Sequence, residues 1–191
     1  MKRNLLPFFD RINELSRQRN CVTVAIDGNS AAGKTYLAAL CKSMYPCNVF
    51  SMDDFFLRPI QRTPDRLGEP GGNIDYERFG EEIIDALKTG EPFSYRPYNC
   101  QTMELSGQTP VSPKPLNVIE GVYSLHPRFI NAYDFKVFMR VDEAVQRRRL
   151  FERRADLYER FLKEWIPMEN RYFEHFRIQE ICDLVIEGDM F

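Results

Sequence analysis

With 26 lysines and arginines against 28 acidic residues, the 191-residue chain carries a formal net charge of −2, which gives no long-range attraction to nucleic acid. Its length predicts a single domain, residues 1–191, whose core is large enough to fold without disulfides or metal staples. The five cysteines include no C-x-x-C pair, which is typical of reduced, mostly buried thiols in a cytoplasmic protein. No apolar run approaches the length of a membrane span.

The N-terminal segment is predicted to be an amphipathic helix. Leu5, Phe8, Ile12 and Leu15 recur at helical spacing, and acidic residues interrupt the apolar run before it reaches the length of a secretory signal. We therefore expect this helix to pack beside a sheet.

A strand and a phosphate-binding signature follow. Residues 22–27 form a β-branched, apolar run, and Gly28 to Thr35 match G-x-x-x-x-G-K-[ST] at every fixed position. Gly28 and Gly33 permit backbone conformations that turn successive amides toward one point, where the N-terminus of the next helix adds partial positive charge. The order of strand, glycine-bounded loop and helix therefore predicts a phosphate site.

The side chains of this loop have distinct expected roles. Lys34 would reach the β- and γ-phosphates of a nucleotide, and Thr35 would offer its hydroxyl to Mg²⁺. The alternative is a glycine-rich turn with a coincidental Lys-Thr pair. The residues expected to hold the nucleotide are Gly28, Asn29, Ser30, Ala31, Ala32, Gly33, Lys34, Thr35 and Tyr36.

Four further apolar runs alternate with helical patterns, at residues 47–52, 116–121, 135–141 and 183–188. Their continuous apolarity suits parallel strands that are covered on both faces. The alternation predicts a three-layer α/β/α fold of the P-loop NTPase class, with a mainly parallel five-stranded sheet.

Two segments rich in Pro, Gly and polar residues interrupt this pattern, at residues 58–74 and 92–115. Loops of that length in a compact domain are usually functional. We expect both to wall an acceptor pocket that faces the phosphate loop.

Three carboxylates follow predicted strands: Asp53 and Asp54 come after the second, and Glu120 ends the third. Ligands of open parallel sheets bind beyond the carboxyl ends of the strands, so these groups should share a rim with Lys34. A carboxylate there can accept the proton of an attacking hydroxyl. The alternatives are an exposed capping turn for the pair and a cap or salt bridge for Glu120.

The motifs GNSAAGKT, SMDDFF, IEG, RRRLFERR and CDLVIEGD together resemble those of the uridine kinase, nicotinamide riboside kinase and phosphoribulokinase group of P-loop kinases. The resemblance spans residues 21–188. It implies a phosphotransferase that uses ATP and Mg²⁺ and acts on a hydroxyl of a small molecule, first of all the 5'-hydroxyl of a ribonucleoside such as uridine. Another acceptor, such as nicotinamide riboside, pantothenate or a sugar, stays open, as does a regulatory ATPase.

The resemblance also implies roles at the donor side. Asp53 would be the base toward the acceptor hydroxyl, Asp54 would support the metal, and Glu120 would hold Mg²⁺ through water. Arg149 and Arg153 are i and i+4 on one face of a basic helix. They would contact the donor phosphates from a helical lid at residues 143–176, although this helix is also compatible with a solvated basic surface.

At the acceptor side the resemblance implies that Asp75 binds ribose hydroxyls, although its position also suits a helix N-cap. Phe56 and Tyr98 would line the acceptor pocket with Tyr95, and His126 is structural or lines the substrate. The only partner expected is a small-molecule acceptor, with neither nucleic acid nor a membrane.

Overall fold

A five-stranded parallel sheet forms the centre of the protein in the computed structural model, which describes residues 3–190. The strand order is β2-β7-β1-β8-β9, and every neighbouring pair is parallel. This confirms the predicted sheet. Two small antiparallel pairs, β3 with β6 and β4 with β5, lie outside it. In chain order the strands are β1 (Val22–Gly28), β2 (Cys47–Ser51), β3 (Phe93–Tyr95), β4 (Tyr98–Asn99), β5 (Glu104–Leu105), β6 (Thr109–Val111), β7 (Leu116–Glu120), β8 (Phe135–Arg140) and β9 (Leu184–Glu187).

Helices connect and cover these strands. Two π-helical turns, Gly80–Asp85 and Phe161–Trp165, join α4 to α5 and α7 to α8 without a break. The helices are α1 (Leu6–Gln18), α2 (Lys34–Met44), α3 (Pro64–Gly68), α4 (Tyr76–Phe79), α5 (Ala86–Thr89), α6 (Glu143–Arg154), α7 (Tyr158–Arg160), α8 (Ile166–His175) and α9 (Ile178–Ile181). Residues 143–176 are therefore mostly helical. No described helix combines the length and apolar character needed to cross a membrane.

Apolar side chains cover both faces of the sheet, which agrees with the mostly apolar sequences of its central strands. On one face, α1 buries Phe8, Ile12 and Leu15, and the Phe8 ring lies 5.8 Å from that of Phe135. On the other face, a second cluster includes side chains of α4 and α8. The three-layer arrangement and the amphipathic N-terminal helix are thus confirmed.

The two segments expected to be loops contain short regular elements. Residues 58–74 hold a 3₁₀ turn at Pro59–Gln61 and the helix α3. Residues 92–115 hold β3 to β6. Local hydrogen bonds restrict the two segments, and the carbonyl oxygens of Ser112 and Pro115 also accept from Asn48 and Val22 of the main sheet.

The prediction that the cysteines are mostly buried is wrong. All five are free thiols, as expected, but only Cys41 is buried. Cys21 and Cys100 are exposed, whereas Cys47 and Cys182 are half-buried. The apolar runs misled here because they end at the surface, where the neighbouring residue is no longer covered.

Asp27 ties three parts of the chain together at the end of β1. Its Oδ1 accepts hydrogen bonds from the amides of Gly28 (2.7 Å) and Tyr123 (3.1 Å). Its Oδ2 accepts from the amide of Leu125 (2.9 Å) and from the Tyr172 hydroxyl (2.8 Å). Complete burial raises the pKa of the Asp27 carboxyl to about 6, against the opposing effect of these donors.

Replacing Asp27 by Asn should destabilise the fold. An amide has one acceptor oxygen, so in either orientation its NH₂ group would face a backbone N–H in place of an acceptor. We expect the free energy of unfolding to fall by about 1–3 kcal/mol in urea denaturation. The control is Asp10→Asn on the exposed face of α1. Equal stability of both variants would contradict a structural role for the four bonds.

Candidate active site

The phosphate-loop signature forms a tight turn between β1 and α2. Gly28 (φ 135°) lies so close to β8 that a Cβ atom would stand 1.9 Å from the Met139 carbonyl oxygen, so only glycine fits. Ala31 (φ 62°) and Gly33 (φ 100°) adopt left-handed conformations that reverse the chain before Lys34 begins α2. The expected order of strand, loop and helix is therefore present.

Lys34 lies inside this turn. Its side chain is only 7% exposed, and Nζ donates to the carbonyl oxygens of Gly28 and Asn29, both at 2.8 Å. These carbonyls hold the ammonium group at the centre of the loop, where a phosphate would compete for it.

A cleft of about 250 Å³ opens over the loop. It brings together the lysine and threonine of the signature, two of the three rim carboxylates and both arginines expected from the lid. Its lining consists of Ser30, Ala31, Gly33, Lys34, Thr35, Asp53, Glu120, Gly121, Val122, Arg149 and Arg153. Of the other residues expected to hold the nucleotide, Gly28 and Ala32 are buried, Asn29 is half-buried and Tyr36 is 50% exposed.

Glu120 ends β7 beside Thr35. Its carboxylate is 5% exposed, and the Thr35 hydroxyl lies 3.3 and 3.4 Å from its two oxygens. Burial raises the pKa of the Glu120 carboxyl, while the positive charge of Lys34 lowers it. A hydroxyl and a carboxylate side by side are hard oxygen donors of the kind that Mg²⁺ accepts.

Asp53 and Asp54 have different surroundings, although they are adjacent in sequence. Both lie on a 3₁₀ turn (Met52–Phe55) that begins with the Asp53 amide donating to the Ser51 hydroxyl at 3.3 Å. Asp53 is exposed and lines the cleft. Asp54 is half-buried and accepts from the Tyr95 hydroxyl at 3.2 Å, and burial raises the pKa of its carboxyl. Only Asp53 therefore presents its side chain to the cleft.

The residues available for a magnesium ion are consequently few. Within residues 3–190, no group of three or more His, Cys, Asp or Glu side chains is arranged to hold a metal ion. Thr35 and Glu120 fit the ion as a pair, since Mg²⁺ usually keeps several waters and takes other ligands from substrate phosphates. The Asp54 carboxylate instead accepts a hydrogen bond from the Tyr95 hydroxyl.

Arg149 connects the phosphate loop with the C-terminal turn (Gly188–Met190). Its Nη1 donates to the carbonyl oxygens of Ala31 (3.1 Å) and Gly188 (2.9 Å), and Nη2 donates to that of Asp189 (2.9 Å). The guanidinium of Arg153, one turn further along α6, lies 5.9 Å from the centre of the Phe161 ring. Both arginines border the cleft, but Arg149 is also a structural clamp.

Sequence reasoning missed two residues that hold the loop from outside. Glu169 of α8 is 4% exposed and accepts hydrogen bonds from the amide (3.0 Å) and the hydroxyl of Ser30. Gln146 of α6 donates from Nε2 to the Ser30 carbonyl oxygen at 3.0 Å. Glu169 shares a helix face with Tyr172 and Phe173, and an acid at a core position of an amphipathic helix is the signal that could have found it.

The acceptor-side residues are largely buried. Asp75 is 2% exposed and is the N-cap of α4, as one interpretation predicted, because its Oδ1 accepts from the Arg78 amide at 3.2 Å. Its Oδ2 accepts from Gln61 Nε2 at 2.9 Å. Tyr98 is buried and its hydroxyl accepts from Arg62 at 3.2 Å. Phe56 is half-buried and pairs with Ile74 through its backbone.

The remaining aromatics of the acceptor side belong to the core. Tyr95 is buried and stacks on Phe55, with ring centres 5.8 Å apart. His126 stacks on Tyr76 at 5.1 Å, and burial lowers the pKa of the imidazole to about 4. His126 therefore packs as a neutral ring, which fits its structural interpretation.

Solved structures place this architecture among known proteins. A possible uridine kinase from Bacillus stearothermophilus is 22% identical over 95% of this chain and 100% of its own, with a TM-score of 0.66. A D-glycerate 3-kinase from Cryptococcus neoformans is 14% identical over 98% and 96% of the two chains, with a TM-score of 0.62. The chain has the same fold as these two proteins. The resemblance seen in the sequence is thus confirmed at the level of the fold.

A third structure extends the comparison. A Saccharomyces cerevisiae protein proposed to be a P-loop containing kinase with a circular permutation is 10% identical over 97% and 98% of the two chains, with a TM-score of 0.65. Neither the family models nor the curated proteins compared with the sequence give a match. At these identities the likeness describes the backbone architecture.

The two lid arginines should differ in their effect on stability. Arg149→Ala removes the donors to three backbone carbonyls, so the free energy of unfolding should fall by about 1–3 kcal/mol. Arg153→Ala and the control Arg148→Ala, both at exposed positions of α6, should stay within about 0.5 kcal/mol of the unmodified protein. Urea denaturation measures the difference. Three equal values would show that the Arg149 contacts are not stabilising.

Proposed function

We propose that the protein is a kinase that uses ATP and Mg²⁺ to transfer the γ-phosphoryl group to a hydroxyl of a small molecule. One observation carries this proposal: Lys34, Thr35, Asp53 and Glu120 line a single cleft. The fold of the structural relatives, one of which is described as a kinase and two as possible kinases, supports it. Five free thiols and the use of ATP support a cytoplasmic location.

The side chains divide the chemistry between them. Lys34 can leave the loop carbonyls and neutralise charge on the transferring phosphoryl group, and Arg153, which also lines the cleft, can contribute a second positive charge. Thr35 and Glu120 would hold Mg²⁺, which would supply further positive charge to the phosphates when it is bound. Asp53 would accept the proton of the acceptor hydroxyl. At the same time the acceptor oxygen would bond to the γ-phosphorus, and the bond from that phosphorus to the ADP oxygen would break.

Asp53 is favoured as the base by geometry. It is exposed in the cleft, where an acceptor hydroxyl can reach it, while the Asp54 carboxylate is bonded to the Tyr95 hydroxyl. A hydrolytic regulator would require a water in place of the acceptor. The length of the segments 58–74 and 92–115 favours a bound acceptor instead, because such long connections in a compact domain are usually functional.

Asparagine at position 53 should remove the base while keeping its shape. We expect Asp53→Asn to lower the rate of phosphoryl transfer about 10²- to 10⁴-fold, with a much smaller change in ATP affinity. Asp54→Asn is the matched neighbour and should lower it less than about tenfold, because its oxygen can still accept from Tyr95. A coupled ADP-release assay measures both rates. Equal losses in the two variants would refute the assignment of the base.

For the acceptor we propose the 5'-hydroxyl of a ribonucleoside, with uridine and cytidine ahead of purines. Gln61 Nε2 donates to Asp75 Oδ2. A ribose hydroxyl would displace the Gln61 amide and donate to the same oxygen. Half-buried Phe56 offers a flat apolar surface for a base. The likeness to a possible uridine kinase supports the same class of substrate.

A panel of acceptors tests this choice through ADP release. We expect turnover of uridine and cytidine, a preference for ribose over deoxyribose, and loss of that preference in Asp75→Asn. This variant retains an oxygen that can cap α4 for the Arg78 amide. The panel also contains nicotinamide riboside, pantothenate, free sugars and D-glycerate. Turnover of one of these without any ribonucleoside would reject the acceptor and retain the kinase, whereas ADP release that no acceptor stimulates would favour a regulatory ATPase.

A further inference from the structure

The phosphate loop is held from outside by three side chains from two helices. Gln146 donates a hydrogen bond to the Ser30 carbonyl oxygen, and Arg149 donates to the Ala31 carbonyl oxygen. Glu169 accepts hydrogen bonds from the Ser30 amide and hydroxyl. These contacts matter because Ala31 is a non-glycine residue with a positive φ of 62°. Such a conformation persists only where its surroundings fix it.

The peptide group between Asn29 and Ser30 is hydrogen-bonded through both its carbonyl oxygen and its amide N–H. The Asn29 carbonyl oxygen accepts from Lys34 Nζ at 2.8 Å, and the Ser30 amide of the same peptide donates to Glu169 at 3.0 Å. In a trans peptide these two groups point in opposite directions, so Lys34 and the Ala32 amide (3.1 Å) on one side and Glu169 on the other fix the orientation of the peptide plane. The next peptide is fixed by Gln146 at the Ser30 carbonyl, which turns the Ala31 N–H to the other side.

The hydrogen bond from Lys34 to the Asn29 carbonyl oxygen is temporary if the loop binds nucleotide, because the ammonium group must turn toward the phosphates. The hydrogen bonds from Ser30 to Glu169 can persist, because Glu169 is not among the residues that line the cleft. Within residues 3–190, Glu169 forms no salt bridge, so the more distant positive charge of Lys34 and the Ser30 hydrogen bonds together compensate for its burial. A buried acid kept in this position without an ion-pair partner indicates a specific task.

We propose that Glu169 is a positioning residue that keeps the Asn29–Ser30 peptide in its orientation when Lys34 moves to a bound phosphate. Without it, departure of Lys34 leaves the Asn29 carbonyl oxygen held by the Ala32 amide (3.1 Å) but the Ser30 N–H without a partner, and the loop amides lose the arrangement that faces the nucleotide. This inference rests on the proposed binding of ATP at the loop. It does not depend on which acceptor is used.

The test is calorimetric titration of the whole protein with MgATP, without any acceptor. Glu169→Ala should weaken binding by at least about tenfold. Glu169→Gln should stay within about threefold of the unmodified protein, since its carbonyl can accept from the Ser30 amide while its NH₂ donates to the Ser30 hydroxyl. Glu174→Ala, an exposed carboxylate on the same helix, is the control and should leave affinity unchanged.

Circular dichroism first establishes that each variant is folded. If Glu169→Ala is not folded, Glu169→Asp decides the matter, because its carboxylate is one methylene too short to keep both Ser30 contacts and should also weaken binding. Rescue by glutamine distinguishes positioning from charge, and weak binding by both Glu169→Gln and Glu169→Ala would overturn the inference.

Two other results would also overturn it. Tighter MgATP binding by Glu169→Ala would mean that the carboxylate competes with phosphate, and unchanged affinity with a lower melting temperature would mean that Glu169 only stabilises the fold. Absence of MgATP binding by the unmodified protein would reject the proposed function together with this inference. Weakened binding by Glu169→Ala, in a protein that transfers no phosphoryl group, would support the inference and reject the kinase.

Discussion

The phosphate loop depends on side chains that satisfy its outward-facing backbone groups. A turn that presents amides to a ligand must leave them without protein partners, and its remaining polar groups then need partners elsewhere. Here Gln146, Arg149 and Glu169 provide those partners from α6 and α8. Helices α6 and α8 therefore help to hold the loop in its conformation without any ligand.

The same helices are tied to the sheet by Asp27. Its carboxylate joins the end of β1 to the segment after β7 and, through the Tyr172 hydroxyl, to α8. Glu169 lies one turn before Tyr172, so the contact that orients the loop and the contact that anchors its helix are neighbours. A displacement of α8 would thus disturb both the loop and the end of the strand that leads into it.

Two buried carboxylates, Glu120 and Glu169, lie near the phosphate loop, where their charged forms lose the solvation that water would give them. Burial raises the pKa values of the Glu120 and Glu169 carboxyls, and Lys34 is the principal charge that counters the effect in both. A single ammonium group therefore stabilises two buried acids and the loop carbonyls together. Residues so closely coupled are expected to respond non-additively to substitution.

The sequence was sufficient for the features that depend on local spacing. The period of the apolar runs predicted the strands and the helix α1, and the glycine-bounded signature predicted the loop, since each depends on neighbours a few residues apart. It also placed Asp53 and Glu120 on one rim, because parallel strands end at the same edge. The hydrogen bond that the Asp54 carboxylate accepts from the Tyr95 hydroxyl could not be predicted, because Tyr95 lies 41 residues away in the sequence.

The sequence by itself therefore determined the α/β/α architecture, the phosphate loop and the rim on which its carboxylates meet. Only the tertiary structure decided which acid faces the cleft, that Arg149 clamps backbone carbonyls, and that Glu169 holds Ser30 across 139 residues of chain. The physical reason is that hydrogen bonds between distant segments have no period in the sequence. They arise only when packed helices bring their buried polar groups to the loop.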